Sequence, residues 1–215
     1  MRARTKTTMP AFDLFSIGHS NIPAERFVGL LHEADVNAVA DVRSAPFSRF
    51  FPWFSQKPLA ARLADGGMTY TFMGETLGGR PRDERLYCDG IADYEAMARE
   101  PYYLDGLARL TEEAARSCIC LMCAEREPLE CHRCLLVARS LAERGLAVGH
   151  ILYDGAIEAH AETERRLLAL TGEGCDLFTP GQRERLAAAY RRQAHAVAYR
   201  RPANNAKRTL AAESR

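Results

Sequence analysis

Cys118-Ile119-Cys120-Leu121-Met122-Cys123-Ala124-Glu125-Arg126-Glu127-Pro128-Leu129-Glu130-Cys131-His132-Arg133-Cys134 is the stretch on which the reading of this chain turns. It begins as a short apolar run bounded by charge, the mark of a buried strand, and ends in Cys-His-Arg at the start of an amphipathic helix. A strand there delivers Cys123 and Glu125 to its carboxyl end. The loop then returns Cys131, His132 and Arg133 to the same place. A helix amino terminus favours anions through its free N–H groups and lowers the pKa of a cysteine placed there. Two thiols, an imidazole, a carboxylate and a guanidinium thus meet at one strand–helix junction. Buried cysteines also simply fill strands, and that reading suits Cys118 and Cys120.

The same pattern repeats outward from this stretch. Phe12–Ile17, Val36–Val42, Met68–Phe72 and Ala147–Leu152 read as further buried strands. Helical periodicity covers 24–34, 59–64, 92–99, 103–116, 133–144, 157–170 and 182–200. Strands alternating with helices predict a Rossmann-like α/β fold, a mainly parallel sheet with helices on both faces. Ligands then bind at the carboxyl ends of the strands. Residues 11–175 are expected to form the α/β domain, after a disordered basic segment 1–10. A basic helical extension and tail, 176–215, follows.

The chain has 215 residues and a formal net charge of +1, which hides an asymmetry. From Gly181 to Arg215 there are eight Arg and one Lys against two Glu, a local charge of +7 that leaves −6 for the remainder. Basic ends on a near-neutral body suit a polyanion such as DNA or RNA, and equally suit a merely solubilising tail. No run approaches a membrane span and no leader pattern precedes the first strand, so a cytoplasmic location with reduced thiols is expected. The oligomeric state is not readable.

Polar clusters follow directly after the predicted strands. His19 and Ser20 follow the first, His19 as a general base or metal ligand and Ser20 as a ligand contact or a helix cap. Asp41 and Arg43 lie two apart on one strand face, as an internal ion pair or as a carboxylate beside a phosphate clamp. Gly78, Gly79 and Arg80 form a glycine turn with a cation, without the spacing of a phosphate-binding loop. The aromatic loop 46–54, carrying Phe47, Phe50, Phe51, Trp53 and Phe54 with Arg49, either stacks bases or folds over the core as a lid. Cys123, Cys131 and His132 are the candidate ligands of a zinc or iron ion. Strand alternation points Cys120 away from Cys123, so their knuckle-like spacing does not serve a metal.

Taken together, Ile17-Gly18-His19-Ser20, Asp41-Val42-Arg43 with Pro46 and Ser48, Leu77-Gly78-Gly79, Leu121-Met122-Cys123-Ala124-Glu125 with Pro128, and Cys131-His132-Arg133 resemble the family called domain of unknown function 488. The resemblance covers about Phe15 to Asp154 and implies a Rossmann-like domain with these motifs around one pocket. It implies no reaction. Cys118, Cys120 and Cys134 lie outside the pattern.

The leading expectation is an enzyme acting on a nucleotide or nucleic-acid base, cleaving or exchanging an N-glycosidic bond. Glu125 or Asp41 would stabilise positive charge on the sugar, and His19 would move the proton. Arg43, Arg133 and the helix start at Cys131 would hold phosphate, with Ser20, Gly78, Gly79, Arg80 and His132 around the ligand. Two alternatives stand beside it. One is thiolate transfer or redox chemistry at Cys131 with Cys123 as resolving partner. The other is a metal-binding module for nucleic acid.

Overall fold

The computed structural model describes residues 12–172 and 181–202; the expected basic segment 1–10 and the tail beyond residue 202 lie outside them. The strands are β1 (Leu14–Gly18), β2 (Ala38–Asp41), β3 (Thr69–Phe72), β4 (Tyr87–Cys88), β5 (Ile91–Ala92), β6 (Ile119–Cys123), β7 (Val148–Ile151) and β8 (Ile157–Ala159). Between them run α1 (Ala24–Glu33), α2 (Gln56–Asp65), α3 (Gly74–Leu77), α4 (Tyr94–Met97), α5 (Pro101–Ala114), α6 (Arg139–Ala142), α7 (His160–Thr171) and α8 (Gln182–Val197). The main sheet has the order β3-β2-β6-β1-β7-β8, parallel throughout except for β8.

Period-two alternation sorts the strand side chains into two cores. Phe15, Ile17, Val39, Cys120 and Met122 pack with Phe27, Leu31, Leu59 and Leu63 of α1 and α2. Leu14, Ala40, Leu121 and Cys123 face the other way, onto Leu107, Leu110, Leu141 and Tyr190. Cys120 and Cys123 therefore lie on opposite faces, as strand geometry requires.

The chain leaves β1 for β2 and later leaves β6 for β7, each time passing over the other strand in the opposite sense. The two crossovers take opposite faces, and their first turns part between β1 and β6. That gap at the strand carboxyl ends is where open α/β sheets bind ligands.

Three local features differ from the sequence reading. Residues 157–159, read as the start of a helix, form the antiparallel edge strand β8. Gly155 at φ +93°, with Asp154 Oδ1 accepting from Ala156 N–H, turns the chain back onto the open edge of β7. The hairpin β4–β5 has only two residues a side, too short for a periodic signal. The helix after Cys131 opens as a π-helical segment, Arg133–Ala138, before α6.

A buried polar chain docks α8 on the sheet. Ser16 Oγ meets His150 Nδ1 (2.7 Å), His150 Nε2 meets His160 Nδ1 (2.9 Å), and His160 Nε2 meets Tyr190 Oη (3.0 Å), which donates to Glu164 (3.0 Å). Burial lowers the His160 pKa to about 4. Since the unfolded value is about 6.5, the unfolded chain binds more protons between those values. Stability therefore rises with pH there and is lost as pH falls from 6.5 towards 4. The difference corresponds to about 3 kcal/mol for this imidazole at full protonation. Urea melts at pH 7 and pH 4.5 should show that loss, and His160→Gln should flatten the slope; equal slopes in the two proteins would refute the assignment.

Candidate active site

A cleft of about 320 Å³ lies over the carboxyl ends of β2 and β6. Its walls are Arg43, Ser44, Ala45 and Phe47 after β2, then Gly79, Arg80, Tyr94, Val197 and Tyr199. Cys123, Ala124, Glu125, Glu130, Cys131 and His132 line the rest.

The strand–loop–helix stretch builds the chemical centre. Cys123 ends β6, and a 3-10 turn at Pro128–Glu130, capped by the Glu127 carboxylate on Leu129 N–H, carries the chain back to Cys131. Both sulfurs lie against one carboxylate oxygen: Cys123 Sγ is 2.9 Å and Cys131 Sγ 3.0 Å from Glu125 Oε2. His132 Nε2–H donates to the Val42 carbonyl at 2.8 Å, so Nδ1 faces the thiols, 3.7 Å from Cys123 Sγ and 3.9 Å from Cys131 Sγ. Gly79 lies flat against this ring, where a Cβ would collide with it.

Burial pushes the Cys123 thiol well up, reinforced by Cys131 and Glu125. Burial acts on Cys131 in the same sense but is outweighed by the Cys123 hydrogen bond, the Arg133 charge and His132, so its pKa falls well below the ordinary thiol value. The Arg133 backbone N–H, 3.4 Å away, also points at Cys131 Sγ, as expected at a helix start. Burial raises the Glu125 carboxyl. Although Glu125 as a residue is exposed, its carboxylate turns inward over the thiols.

A second group of predicted site residues forms a scaffold beside the cleft. Asp41, fully buried, accepts from Arg43 Nε (2.9 Å), Arg43 Nη2 (2.6 Å) and Tyr70 Oη (2.8 Å). Arg43 also donates to the Phe54 carbonyl (2.8 Å), and its Nη1 lies 3.3 Å from His19 Nε2. His19 donates through Nδ1 to the Ser20 carbonyl (2.9 Å) and stacks on Phe54 at 4.2 Å. Burial lowers its pKa to about 4, which leaves it neutral near pH 7 with both nitrogens occupied. His19 and Asp41 are thus absent from the cleft lining, and Arg43 reaches it only as a wall already paired with Asp41.

Ser20 takes a left-handed φ of 43°, its hydroxyl directed to Asn21. Gly78 packs against Ser44, whose Oγ accepts from Arg80 N–H (2.9 Å), and the Arg80 guanidinium lies 4.8 Å from the Tyr199 ring centre. Arg133 departs from the expectation of a guanidinium aimed into the cleft. It is 0% exposed and donates to the carbonyls of Glu125 (2.6 Å) and Arg126 (3.1 Å). Side chains in a helix lean towards its amino end, and here that direction leads under the loop after β6. Gly18 leaves the space: a Cβ there would strike the Glu125 carbonyl and crowd Arg133.

Tyr94, Val197 and Tyr199 line the cleft without having been singled out in the sequence. Tyr199 is brought in by backbone pairing, Ala92 N–H to the Tyr199 carbonyl at 3.0 Å and Arg201 N–H to the Gly90 carbonyl at 2.9 Å. No local pattern announces such pairing.

The family model described as a domain of unknown function, DUF488, matches residues 23–140, more than half of the chain. No curated protein and no solved structure matches it.

Proposed function

The chain belongs to the DUF488 family, which carries no reaction in its description, and from the site itself we propose a hydrolytic enzyme acting on a nucleotide or on a base of single-stranded nucleic acid. The observation that carries this reading is the make-up of one cleft: an inward carboxylate, Glu125, shares it with the rings of Phe47, Tyr94 and Tyr199 and with Arg80. Base–aromatic stacking contributes about 1–3 kcal/mol per base and tolerates any sequence. A guanidinium supplies a bidentate phosphate contact. Of the aromatic loop, Phe54 is buried under His19, whereas Phe47, which lines the cleft, and Phe50 are 70% and 81% exposed. That exposure favours stacking over a lid closed on the core. A second cavity of about 500 Å³, lined by Pro46, Phe72, Arg82 and Tyr102, shares Ser44 and Arg80 with the cleft and extends the path for a chain.

The proton-transfer scheme narrows accordingly. His19 and Asp41 have their polar atoms engaged, so an N-glycosidic mechanism routed through them has no free group to use. Glu125 remains as the acid–base residue, with its pKa raised by burial. Among the described C-terminal residues, three of the cations are engaged within the fold. Arg191 pairs with Glu95, Arg192 donates to the Thr171 carbonyl, and Arg201 pairs with Glu84.

Thiolate chemistry at Cys131 is the second reading, favoured by its lowered pKa and by Cys123 beside it. Alkylation by iodoacetamide at pH 7 that leaves Cys131 untouched removes it.

Trp53 is the only tryptophan and sits 40% exposed in the loop that carries Phe47, so its fluorescence is the probe of binding. Titration with an oligothymidylate should quench its fluorescence saturably, and Phe47→Ala should weaken binding about 10-fold, the loss of one stacking contact. Base or ammonia released from a mixed-sequence oligonucleotide should fall about 100-fold or more in Glu125→Gln, as for loss of a general acid–base group. The absence of both quenching and release at low salt would overturn the proposal.

A further inference from the structure

We propose that Cys123, Cys131 and His132 bind one zinc ion at the floor of the cleft, with the fourth coordination position facing Glu125 and the substrate. Ligand atoms of these four residues all lie within 4.8 Å of one another. Three observations make the group more than a coincidence of polar side chains.

The first is distance. A tetrahedral zinc with Zn–S of about 2.3 Å and Zn–N of about 2.05 Å holds sulfur and nitrogen about 3.6 Å apart. His132 Nδ1 lies 3.7 Å from one sulfur and 3.9 Å from the other. Those separations are longer than good hydrogen bonds and fit two ligands of one ion to within a few tenths of an ångström.

The second is the orientation of the imidazole. A metal-binding histidine characteristically donates its other N–H to a carbonyl or carboxylate, which fixes the tautomer and aims the lone pair. The Val42 carbonyl takes the Nε2 proton at 2.8 Å, and Gly79 closes the ring in from the side. The lone pair at Nδ1 is left pointing between two sulfurs. Thiolate and imidazole donors together select zinc over the hard cations.

The third is the division between buried and exposed donors. Cys123, Cys131 and His132 are buried, and Glu125 is exposed on the cleft side. Its Oε2 lies 2.9 and 3.0 Å from the sulfurs, shorter than the roughly 3.6 Å between two ligands of one zinc. With the ion and a water in its fourth position, Glu125 must therefore swing back by about 2–3 Å, to hydrogen-bond reach of that water, which an exposed side chain can do. Three protein ligands and an open fourth position are the arrangement of a catalytic zinc site. Arg133, buried beneath the loop, offsets the negative charge of two thiolates and the carboxylate.

A second Cys/His group among the described residues, Cys134 with His150 and His160, does not ask for an ion. Its imidazoles already form a continuous hydrogen-bonded chain from Ser16 to Tyr190.

For catalysis the inference rests on the hydrolytic reading above; the metal site does not. Bound there, zinc supplies a polarised water in the cleft. Glu125 takes a proton from that water as its oxygen forms a bond to the electrophilic carbon of the base or sugar. The bond from that carbon to the leaving nitrogen breaks with its electron pair on nitrogen. Glu125 then returns the proton to that nitrogen, and no further reactant is needed.

The test uses the full chain purified with zinc supplied, then gel-filtered and analysed for metal. One zinc per chain is expected, with Cys123 and Cys131 protected from a thiol reagent until a chelator is added. Cobalt(II) in its place should show the d–d bands of a tetrahedral site and a thiolate charge-transfer band. Cys131→Ser should weaken zinc binding by more than about 100-fold, beyond the range for loss of an outer-shell partner. Glu125→Gln should keep the ion. Should Cys131→Ser fold poorly, the cobalt spectrum and thiol protection of the unaltered chain still decide. No retained zinc, or cobalt without thiolate charge transfer, overturns the site. Zinc retained in a protein that neither binds nor hydrolyses oligonucleotides upholds the metal site and overturns the proposed function. Undiminished hydrolysis by chelator-treated, metal-free protein upholds the proposed function and overturns the catalytic role given to the ion.

Discussion

Arg133→Met should lower folding stability by about 3–5 kcal/mol, the scale for removing one partner from a buried charged network. The guanidinium is 0% exposed and satisfies the Glu125 and Arg126 carbonyls at 2.6 and 3.1 Å. Methionine fills most of the volume but leaves both carbonyls unpaired in a dry site, at about 1–3 kcal/mol each before relaxation. It also removes the cation beside the Cys123–Cys131 pair. Arg133→Lys keeps the charge but not the fork, since one ammonium cannot match two carbonyls in the same geometry. Its loss should be smaller, about 2 kcal/mol, as for hydrogen bonds to a charged group. Urea denaturation at pH 7 measures both. A methionine variant that melts like the parent would show the loop after β6 to be held by something else.

The second large effect is expected at Asp41. Its carboxylate accepts from two Arg43 nitrogens, from the Arg43 backbone N–H (3.1 Å) and from Tyr70. Asp41→Ala strands the Arg43 guanidinium in a site only 5% exposed, so a loss of about 3–5 kcal/mol follows. Asp41→Asn keeps the shape, loses the charge and should fall between. Because His19 Nε2 rests on Arg43 Nη1, the His19 signal in an NMR titration should move as well. An Asp41→Ala protein of unchanged stability would mean that Asp41 belongs to a ligand site after all, its charge compensated elsewhere.

Both residues carry the same lesson about reading polar motifs. Asp-Val-Arg at a strand end offered an ion pair or a clamp, and Cys-His-Arg at a helix start offered a phosphate contact. Local spacing cannot decide either reading, because the partners that decide come from elsewhere in the chain. Tyr70, on the neighbouring strand β3, completes the shell of Asp41. The carbonyls that hold Arg133 lie just beyond the last backbone pairing of the loop after β6, Ser20 N–H to the Ala124 carbonyl.

What the sequence alone determined is the order of short apolar strands and amphipathic helices, and hence a parallel sheet with polar residues at its carboxyl ends. It also determined that Cys123, Glu125, Cys131 and His132 come together, because strand, short loop and helix start leave them no other place. Opposite faces for Cys120 and Cys123 follow from the pleat of a strand in the same way. Only the tertiary structure decided which nitrogen of His132 faces the thiols, through a Val42 carbonyl 90 residues away in sequence. It likewise turned Arg133 inward, withdrew His19 and Asp41 from the cleft, and supplied Val197 and Tyr199 as its wall. Covalent geometry settles which neighbours a residue keeps along the chain. Buried polar groups must then find partners among whatever the collapsed chain brings near, and that choice has no local signature.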